Sequence, residues 1–120
     1  MSEIKDKFIA VYEVKAGRDL WQNECKVKRY IHSREKLRAY VRELSEREKF
    51  AAKASGSEQS TLFKVNYNPK LKAGLYLEFR GETYLVKSVD GFEFYKRDLT
   101  LRAERVKPEP TDHEEYEGDI

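Results

Sequence analysis

Short segments of alternating apolar and polar residues, separated by turn residues, restrict the fold of this sequence most. In Leu75–Arg80 every second residue is apolar, which places the apolar side chains on one face of an extended strand. Five further segments have the composition of strands: Phe8–Val14, Leu37–Arg42, Leu62–Tyr67, Tyr84–Val86 and Leu99–Ala103. The chain is therefore predicted to be mainly β, a small antiparallel barrel or sandwich of about six strands.

Turn residues separate these segments. Ala16–Asp19 and Asp90–Gly91 predict turns, Gly81–Glu82 predicts a tight hairpin, and Asn68–Pro69 ends a strand because proline has no amide hydrogen to donate. Trp21–Lys36 is largely polar and irregular. It is interpreted either as an extended excursion or as an extension of a strand.

One short helix is expected after the second strand. Ser45 and Glu48 form the S-x-x-E capping box, in which each side chain hydrogen-bonds a backbone amide of the other residue. Phe50, Ala51 and Ala54 can form a narrow apolar stripe, so a helix of about 10 residues is predicted from Ser45. Such a helix is marginal in water by itself, and we expect it to dock on the sheet or on another subunit.

The charge divides the chain into a basic body and an acidic tail. The chain has 120 residues, of which 39% are hydrophobic and 38% are charged, so its hydrophobic core must be small. All 24 Lys and Arg residues but only 16 of the 22 Asp and Glu residues precede Pro108, which gives residues 1–107 a formal charge of +8. Residues 1–107 are predicted to form one β domain and residues 108–120 a flexible acidic tail. The tail is either a solvating segment or an arm that orders against a basic neighbour.

Patterns of targeting, metal binding and catalysis are weak in this sequence. The apolar runs are too short for a membrane span, the N-terminus has no signal-like core, and the single Cys25 fits a reducing compartment. His32 and His113 are interpreted as solvated histidines, and Cys25 as an ordinary thiol. With no glycine-rich phosphate loop either, we expect no cofactor, no metal and no enzymatic activity.

Basic residues interleaved with aromatic ones support an alternative function. Lys26, Lys28, Arg29 and Tyr30 lie in one basic region that continues to Arg38. Small β-barrels bind single-stranded nucleic acid by combining such charges with base stacking. A small basic nucleic-acid-binding module is therefore the alternative, and it predicts affinity for free DNA that falls steeply with salt.

Four motifs follow one another in a recognisable order. Leu44–Glu48 ends a strand and opens a helix, Phe63–Pro69 is an extended strand of F-x-I-x-Y-x-P type, Leu77–Val86 is a hairpin around Gly81, and Leu99–Ala103 is a last strand rich in Leu. In this combination the chain resembles the head-tail joining proteins of tailed phages, also called head-closure or head-completion proteins.

The resemblance covers about Leu37–Val106, with a weaker match at Phe8–Asp19. The chain departs from the family pattern at Glu46, where Gly is common, in the basic segment Cys25–Lys36 and in the acidic tail. These departures concern the surfaces that would contact partners more than they concern the fold.

The resemblance implies a structural role in the virion. Members assemble in the host cytoplasm as a ring below the portal or its adaptor after DNA packaging, and they offer the tail a docking surface. The implied partners are further copies of the chain, the portal or adaptor, a tail-side protein and packaged DNA, with no membrane. The chain is expected to form a ring when assembled and to be a monomer alone.

Two sets of residues are predicted to carry this role. The loop after the helix is the candidate stopper in the channel, with an external connection as the alternative; it comprises Ala54, Ser55, Gly56, Ser57, Glu58, Gln59, Ser60 and Thr61. The candidate contacts with other subunits or partners are Ser45, Arg47, Glu48, Phe50, Asp112, Glu114 and Glu115.

Overall fold

A computed structural model describes residues 4–18, 20–33, 35–43, 46–47, 50, 60–91 and 98–117 of the chain. Within these residues the fold consists of β-strands joined by turns and irregular segments. The eight strands are β1 (Lys7–Arg18), β2 (Glu24–Tyr30), β3 (Leu37–Glu43), β4 (Ser60–Asn66), β5 (Tyr76–Phe79), β6 (Glu82–Gly91), β7 (Asp98–Val106) and β8 (His113–Glu115).

All eight strands belong to one sheet, and six of them form a closed sheet. The strand order is β3-β4-β7-β6-β5-β1-β2-β8, and an additional pairing between β3 and β1 joins the first six strands into a closed sheet. β1 makes the closure possible because it is long: Lys7–Ile9 pair with β3, Ala10–Tyr12 with β5, and Tyr12–Arg18 with β2. The strands of the closed sheet are antiparallel, as predicted from the sequence.

The core fills the inside of the closed sheet. Phe63 is fully buried and packs edge-to-face against Tyr84 and Phe79, with ring centroids 5.2 and 5.7 Å away. The period-two pattern explains the other core residues, because inward-facing positions alternate along each strand. They include Ile9, Val11, Ala39, Val65, Leu75, Leu77, Val86, Leu101 and Ala103.

β1 departs from simple alternation, since four consecutive residues, Ile9–Tyr12, are buried. Ile9 and Val11 face the core, whereas Ala10 and Tyr12 belong to a second apolar cluster. The continuous apolar run at the start of the chain therefore reflects a strand covered on both faces.

The turns differ in part from the sequence-based expectation. The hairpin between β5 and β6 turns through Arg80 and Gly81, whose φ angles of 51° and 79° are those of a two-residue type I′ turn, one residue earlier than predicted. The turn predicted at Asp90–Gly91 is wrong, because both residues pair with β7. A Cβ at Gly91 would lie 2.7 Å from Leu99 Cδ2, so this glycine permits a close approach of strands.

Part of the polar segment after β1 forms a strand, β2. Glu24–Tyr30 form a strand antiparallel to β1, which itself continues to Arg18, so the turn predicted at Ala16–Asp19 is also wrong. The alternation of charged and partly buried residues in β2 is weaker than in the core strands, because only one of its faces is partly covered. A strand of this kind gives little apolar signal.

The predicted helix is not confirmed. Of its residues, the structure describes Glu46, Arg47 and Phe50, which have helical backbone, whereas Ser45, Glu48 and residues 51–54 lie outside the described residues. The structure defines no helix in the part of the chain that it describes. Accordingly, none of the described residues forms a helix long and apolar enough to cross a membrane.

Candidate interaction surface

An outer wing extends from the closed sheet. Beyond Tyr12, β1 no longer pairs with β5 but continues beside β2 as far as the pair Arg18 and Glu24, and β8 adds a third strand along the other edge of β2. We define the outer wing as residues 13–18 of β1 together with β2 and β8. The wing adds a surface that the closed sheet does not need for its own closure.

The tip of the outer wing presents two large apolar residues. Leu20 is 94% exposed and Trp21 is 82% exposed. The turn is fixed next to them, because Arg18 Nη1 donates a hydrogen bond of 2.9 Å to the carbonyl oxygen of Gln22, and Gln22 has a φ angle of 64°. Adjacent exposed Leu and Trp residues on an ordered turn are typical of a contact surface.

The strand directions place this tip away from the connection between β3 and β4. β3 runs antiparallel to β1, with Leu37 beside Ile9 and Ala39 beside Lys7, so Glu43 lies beyond the start of β1. β4 returns from the same end, since Thr61 pairs with Glu43. Glu43 and Ser60, the residues that flank positions 44–59, therefore lie at the end of the closed sheet opposite to Leu20 and Trp21.

The acidic C-terminal segment lies on the edge of β2. His113–Glu115 run parallel to Val27–Arg29 in a hydrogen-bonded ladder. Just before β8, Asp112 makes two hydrogen bonds to one residue: its amide donates to the carbonyl oxygen of Lys26, and its Oδ2 accepts from the amide of Lys26, both at 2.8 Å. These bonds use backbone groups that an edge strand otherwise leaves unpaired.

The flexible acidic tail and its alternative, an arm that orders against a basic neighbour, stay predictions. The structure places residues 108–117 against the chain's own basic strand β2. The physical reason is that this segment supplies backbone partners and opposite charge to an edge strand that carries Lys26, Lys28 and Arg29.

Ion pairs accompany this pairing. Lys26 donates to Glu109, Arg29 Nη1 lies 3.2 Å from Glu115 Oε2, and Lys70 pairs with Glu117. The hydrogen bond and charge of Lys26 lower the pKa of the Glu109 carboxyl, and the same contact raises the pKa of Lys26. Because all these groups are substantially exposed, salt screens them and each pair stabilises the segment only modestly.

Tyrosine side chains anchor the segment more firmly. Tyr116 stacks on Tyr30, with ring centroids 4.5 Å apart and an angle of 7° between the planes. Tyr30 in turn contacts Tyr12, which stacks on Tyr76 at 5.5 Å. Tyr12, Tyr30, Tyr76 and Tyr116 thus form an aromatic cluster on the outside of the closed sheet, and Tyr116 is the contribution of the C-terminal segment.

One ion pair lies within this aromatic cluster. Lys28 Nζ is 2.9 Å from Glu78 Oε1 and 4.6 Å from the centre of the Tyr12 ring, and the hydroxyl of Tyr30 donates to the same Glu78 oxygen at 3.2 Å. Burial and the nearby Glu78 charge raise the pKa of Tyr12 to about 12, and the same two causes raise the pKa of Tyr30. Both tyrosines therefore stay neutral at physiological pH and can serve as hydrogen-bond donors.

His32 is a structural residue, so its interpretation as a solvated histidine is wrong. Its ring is buried, with 8% of the residue exposed, and Nε2 accepts a hydrogen bond of 3.0 Å from the amide of Val11. Nδ1 therefore carries the proton and donates to the carbonyl oxygen of Ser33 at 2.7 Å. His113, by contrast, is exposed in β8.

The predicted contact residues lie in separate parts of the molecule. Asp112, Glu114 and Glu115 lie together on the edge of β2, and Asp112 and Glu115 bond to that strand within the same chain. Arg47 and Phe50 are exposed, Phe50 by 82%, and nothing described brings them near the acidic residues. Ser45 and Glu48 lie outside the described residues.

Only two residues of the predicted stopper loop lie within the described part of the chain. Ser60 and Thr61 belong to β4, where they pair with Glu104 and Ala103 of β7. Ser60 is buried, with 3% of the residue exposed. The other six members, residues 54–59, lie outside the described residues.

Sequence signals for the residues that the structure adds are weak. Leu20 and Trp21 directly follow the Ala16–Asp19 segment, but their apolar character alone does not show that they are exposed. Tyr116 was the single aromatic residue in an acidic tail, which indicates an anchor. Among the described residues, no group of three or more His, Cys, Asp and Glu side chains could hold a metal ion.

The closed sheet and its outer wing define a small all-β domain, and comparison with known proteins identifies its family. The chain belongs to the phage head completion protein family, whose model matches residues 6–106. The match spans β1 to β7 and ends before the acidic segment.

Solved structures share the fold. The solution structure of protein SF1141 from Shigella flexneri 2a is similar with a TM-score of 0.68, and the match covers 86% of this chain and 94% of that chain. The two sequences are only 14% identical, so this likeness concerns the fold alone. No curated protein sequence matches the chain.

Proposed function

We propose that this protein joins the phage head to the tail. In this proposal it assembles as a ring below the portal or its adaptor after DNA packaging, helps to retain the genome and offers a docking surface to the tail. The observation that carries the proposal is membership of the head completion family, because the match includes all six strands of the closed sheet. The protein would thus be a component of the virion.

The arrangement of the fold supports a connecting role. A connector must contact different partners on opposite sides, and the exposed tip at Leu20 and Trp21 lies at the opposite end of the sheet from Glu43 and Ser60. We assign the tip to a contact with a neighbouring virion protein. Burial of both side chains would contribute about 1.5–3 kcal/mol each to such a contact.

We assign residues 54–59 to the channel side of the ring. The strands β3 and β4 that flank them are firmly paired with each other and with β7, which would hold a projecting connection at a fixed place. In this proposal Ser60 and Thr61 belong to β4, the strand that holds the stopper segment in place. A polar composition suits a segment that faces confined DNA.

The proposed role is structural and requires no catalysis and no cofactor. The described clefts are shallow or open to solvent, and the polar groups in them serve the fold: Glu13, Arg29 and Glu117 line one, and Lys26 and Asp112 another. The basic side chains of β2 are paired with carboxylates, which favours protein contacts over DNA binding by this strand.

Electron microscopy of particles made without this protein tests the proposal. With the gene disabled in its phage or prophage, we expect DNA-filled or leaking heads beside unattached tails. Normally joined, DNA-filled virions would overturn the proposed function.

A further inference from the structure

The edge of β2 is a complete binding site for an acidic strand. It offers a ladder of backbone groups, the cations Lys26 and Arg29, and the face of the Tyr30 ring on which Tyr116 stacks. Extended peptides commonly bind proteins in this way, with main-chain bonds for affinity and side-chain pockets for specificity. In a single chain this site is occupied by residues 108–117.

The connection to this segment is short and conformationally restricted. Residues 107–112 lie outside regular strands and include Pro108 and Pro110. They lead from the end of β7 to the edge of β2, past β6, β5 and β1 in the strand order. Six residues span at most about 20–22 Å, which makes this connection a short hinge. Short hinges favour the exchange of an element between copies.

If residues 108–117 came from a second copy of the chain, they would make the same contacts with β2 as they make within one chain. Exchange replaces every contact of the segment by the same contact in another copy, so its cost is mainly the loss of independent motion of the two chains. Other contacts within a ring offset that cost, because they raise the effective concentration of the neighbouring segment. The segment also lies beyond residues 6–106, which the family match covers.

We propose that residues 108–117 of one copy dock on β2 of a second copy, in the parallel register seen within one chain, so that copies exchange their C-terminal segments. This inference rests on the ring proposed above and names one of its subunit contacts. Asp112 would then bond to Lys26 of the other copy and Tyr116 would stack on its Tyr30. The acidic residues predicted from the sequence as subunit contacts thereby regain that role through a specific strand pairing.

Thiol cross-linking between two variants tests the exchange. Both variants carry Cys25→Ser, which removes the only native cysteine; one adds Arg29→Cys and the other Glu115→Cys. These positions are exposed and directly paired in the β2–β8 ladder, so their Cα atoms lie at a distance that permits a disulfide. The variants are mixed in denaturant, refolded together at high concentration, oxidised and separated on a non-reducing gel.

The expected result is a covalent heterodimer that forms several-fold more than in a matched control mixture. In the control, Lys87→Cys replaces Arg29→Cys in the same background, because Lys87 is an exposed residue of β6 that lies outside the β2–β8 ladder. A yield of heterodimer no greater than in the control would overturn the exchange.

Light scattering on the same samples separates this inference from the proposed function. Oligomers that form with only control levels of cross-linking would contradict the exchange and leave the ring intact. Strong cross-linking in a protein that does not join heads to tails would contradict the proposed function and support the exchange.

Discussion

The ring of Tyr116 lies 4.5 Å from that of Tyr30, and this stack joins the acidic C-terminal segment to the basic strand β2. It links a residue beyond the family-matched region to the aromatic cluster on the outside of the closed sheet. The stack is therefore the most sensitive point at which the docking of the segment can be tested.

Replacing Tyr116 by Ala should release the segment. The variant loses the stacking energy, about 0.5–1.5 kcal/mol beyond the lost burial, and the amides of β2 that pair with β8 should exchange faster with solvent. Hydrogen exchange measured by NMR checks this. Tyr116→Phe keeps the stack and should retain wild-type protection; equal protection in wild type and Tyr116→Ala would contradict the anchoring role.

Acid should weaken the docking of the segment through Glu109. Lys26 lowers the pKa of this carboxyl below its ordinary value of 4.5, so the contact is stabilising above pH 4.5 and is lost as the pH falls through the lowered value. An NMR titration of the segment should show this transition, and high salt should reduce it. Glu109→Gln should remove that part of the pH dependence; an unchanged titration in the variant would show that other groups control docking.

Replacing His32 by Ala should destabilise the whole domain. The buried amide of Val11 loses its acceptor, which costs about 1–3 kcal/mol of unfolding free energy. Urea denaturation measures the loss. His113→Ala, at an exposed histidine of β8, serves as the matched control and should lie within about 0.5 kcal/mol of wild type. Equal stability of His32→Ala and wild type would contradict the structural role of His32.

Changing the tip of the outer wing should impair joining without unfolding the protein. Leu20→Ser combined with Trp21→Ser alters two residues that are more than four-fifths exposed, so the unfolding free energy should change by about 0.5 kcal/mol or less. Complementation of a phage that lacks the gene should fall strongly. Trp21→Phe keeps an aromatic side chain and should complement. Full activity of the double variant would contradict the proposed contact between the tip and a neighbouring virion protein.

Most strands of the closed sheet could be predicted because their apolar residues alternate, and β1 because of its continuous apolar run. Leu75, Leu77 and Leu101 lie on the inward face because of this alternation. β2 and β8 could not be predicted, since their pairing depends on backbone bonds, charge and one stacked ring, which leave no apolar period. The burial of His32 likewise depends on a tertiary contact with Val11, 21 residues away in sequence.

The candidate surface could be predicted only in part. The acidic residues of the tail were predicted as contacts with other subunits or partners, and this stays a prediction. Their pairing within the chain depends on the parallel alignment of distant segments. Leu20 and Trp21 were not recognised, because a sequence shows that residues are apolar and does not show that a turn leaves them exposed.

The most direct test of the central claim is complementation in vitro. Heads and tails purified from a phage that lacks this gene are mixed with the purified protein, and the infectious particles are counted. If the protein joins the two, its addition restores infectivity, and the Leu20→Ser and Trp21→Ser double variant restores much less. If infectivity stays at the level without protein while the added protein is folded, the chain is not the head-tail joining component.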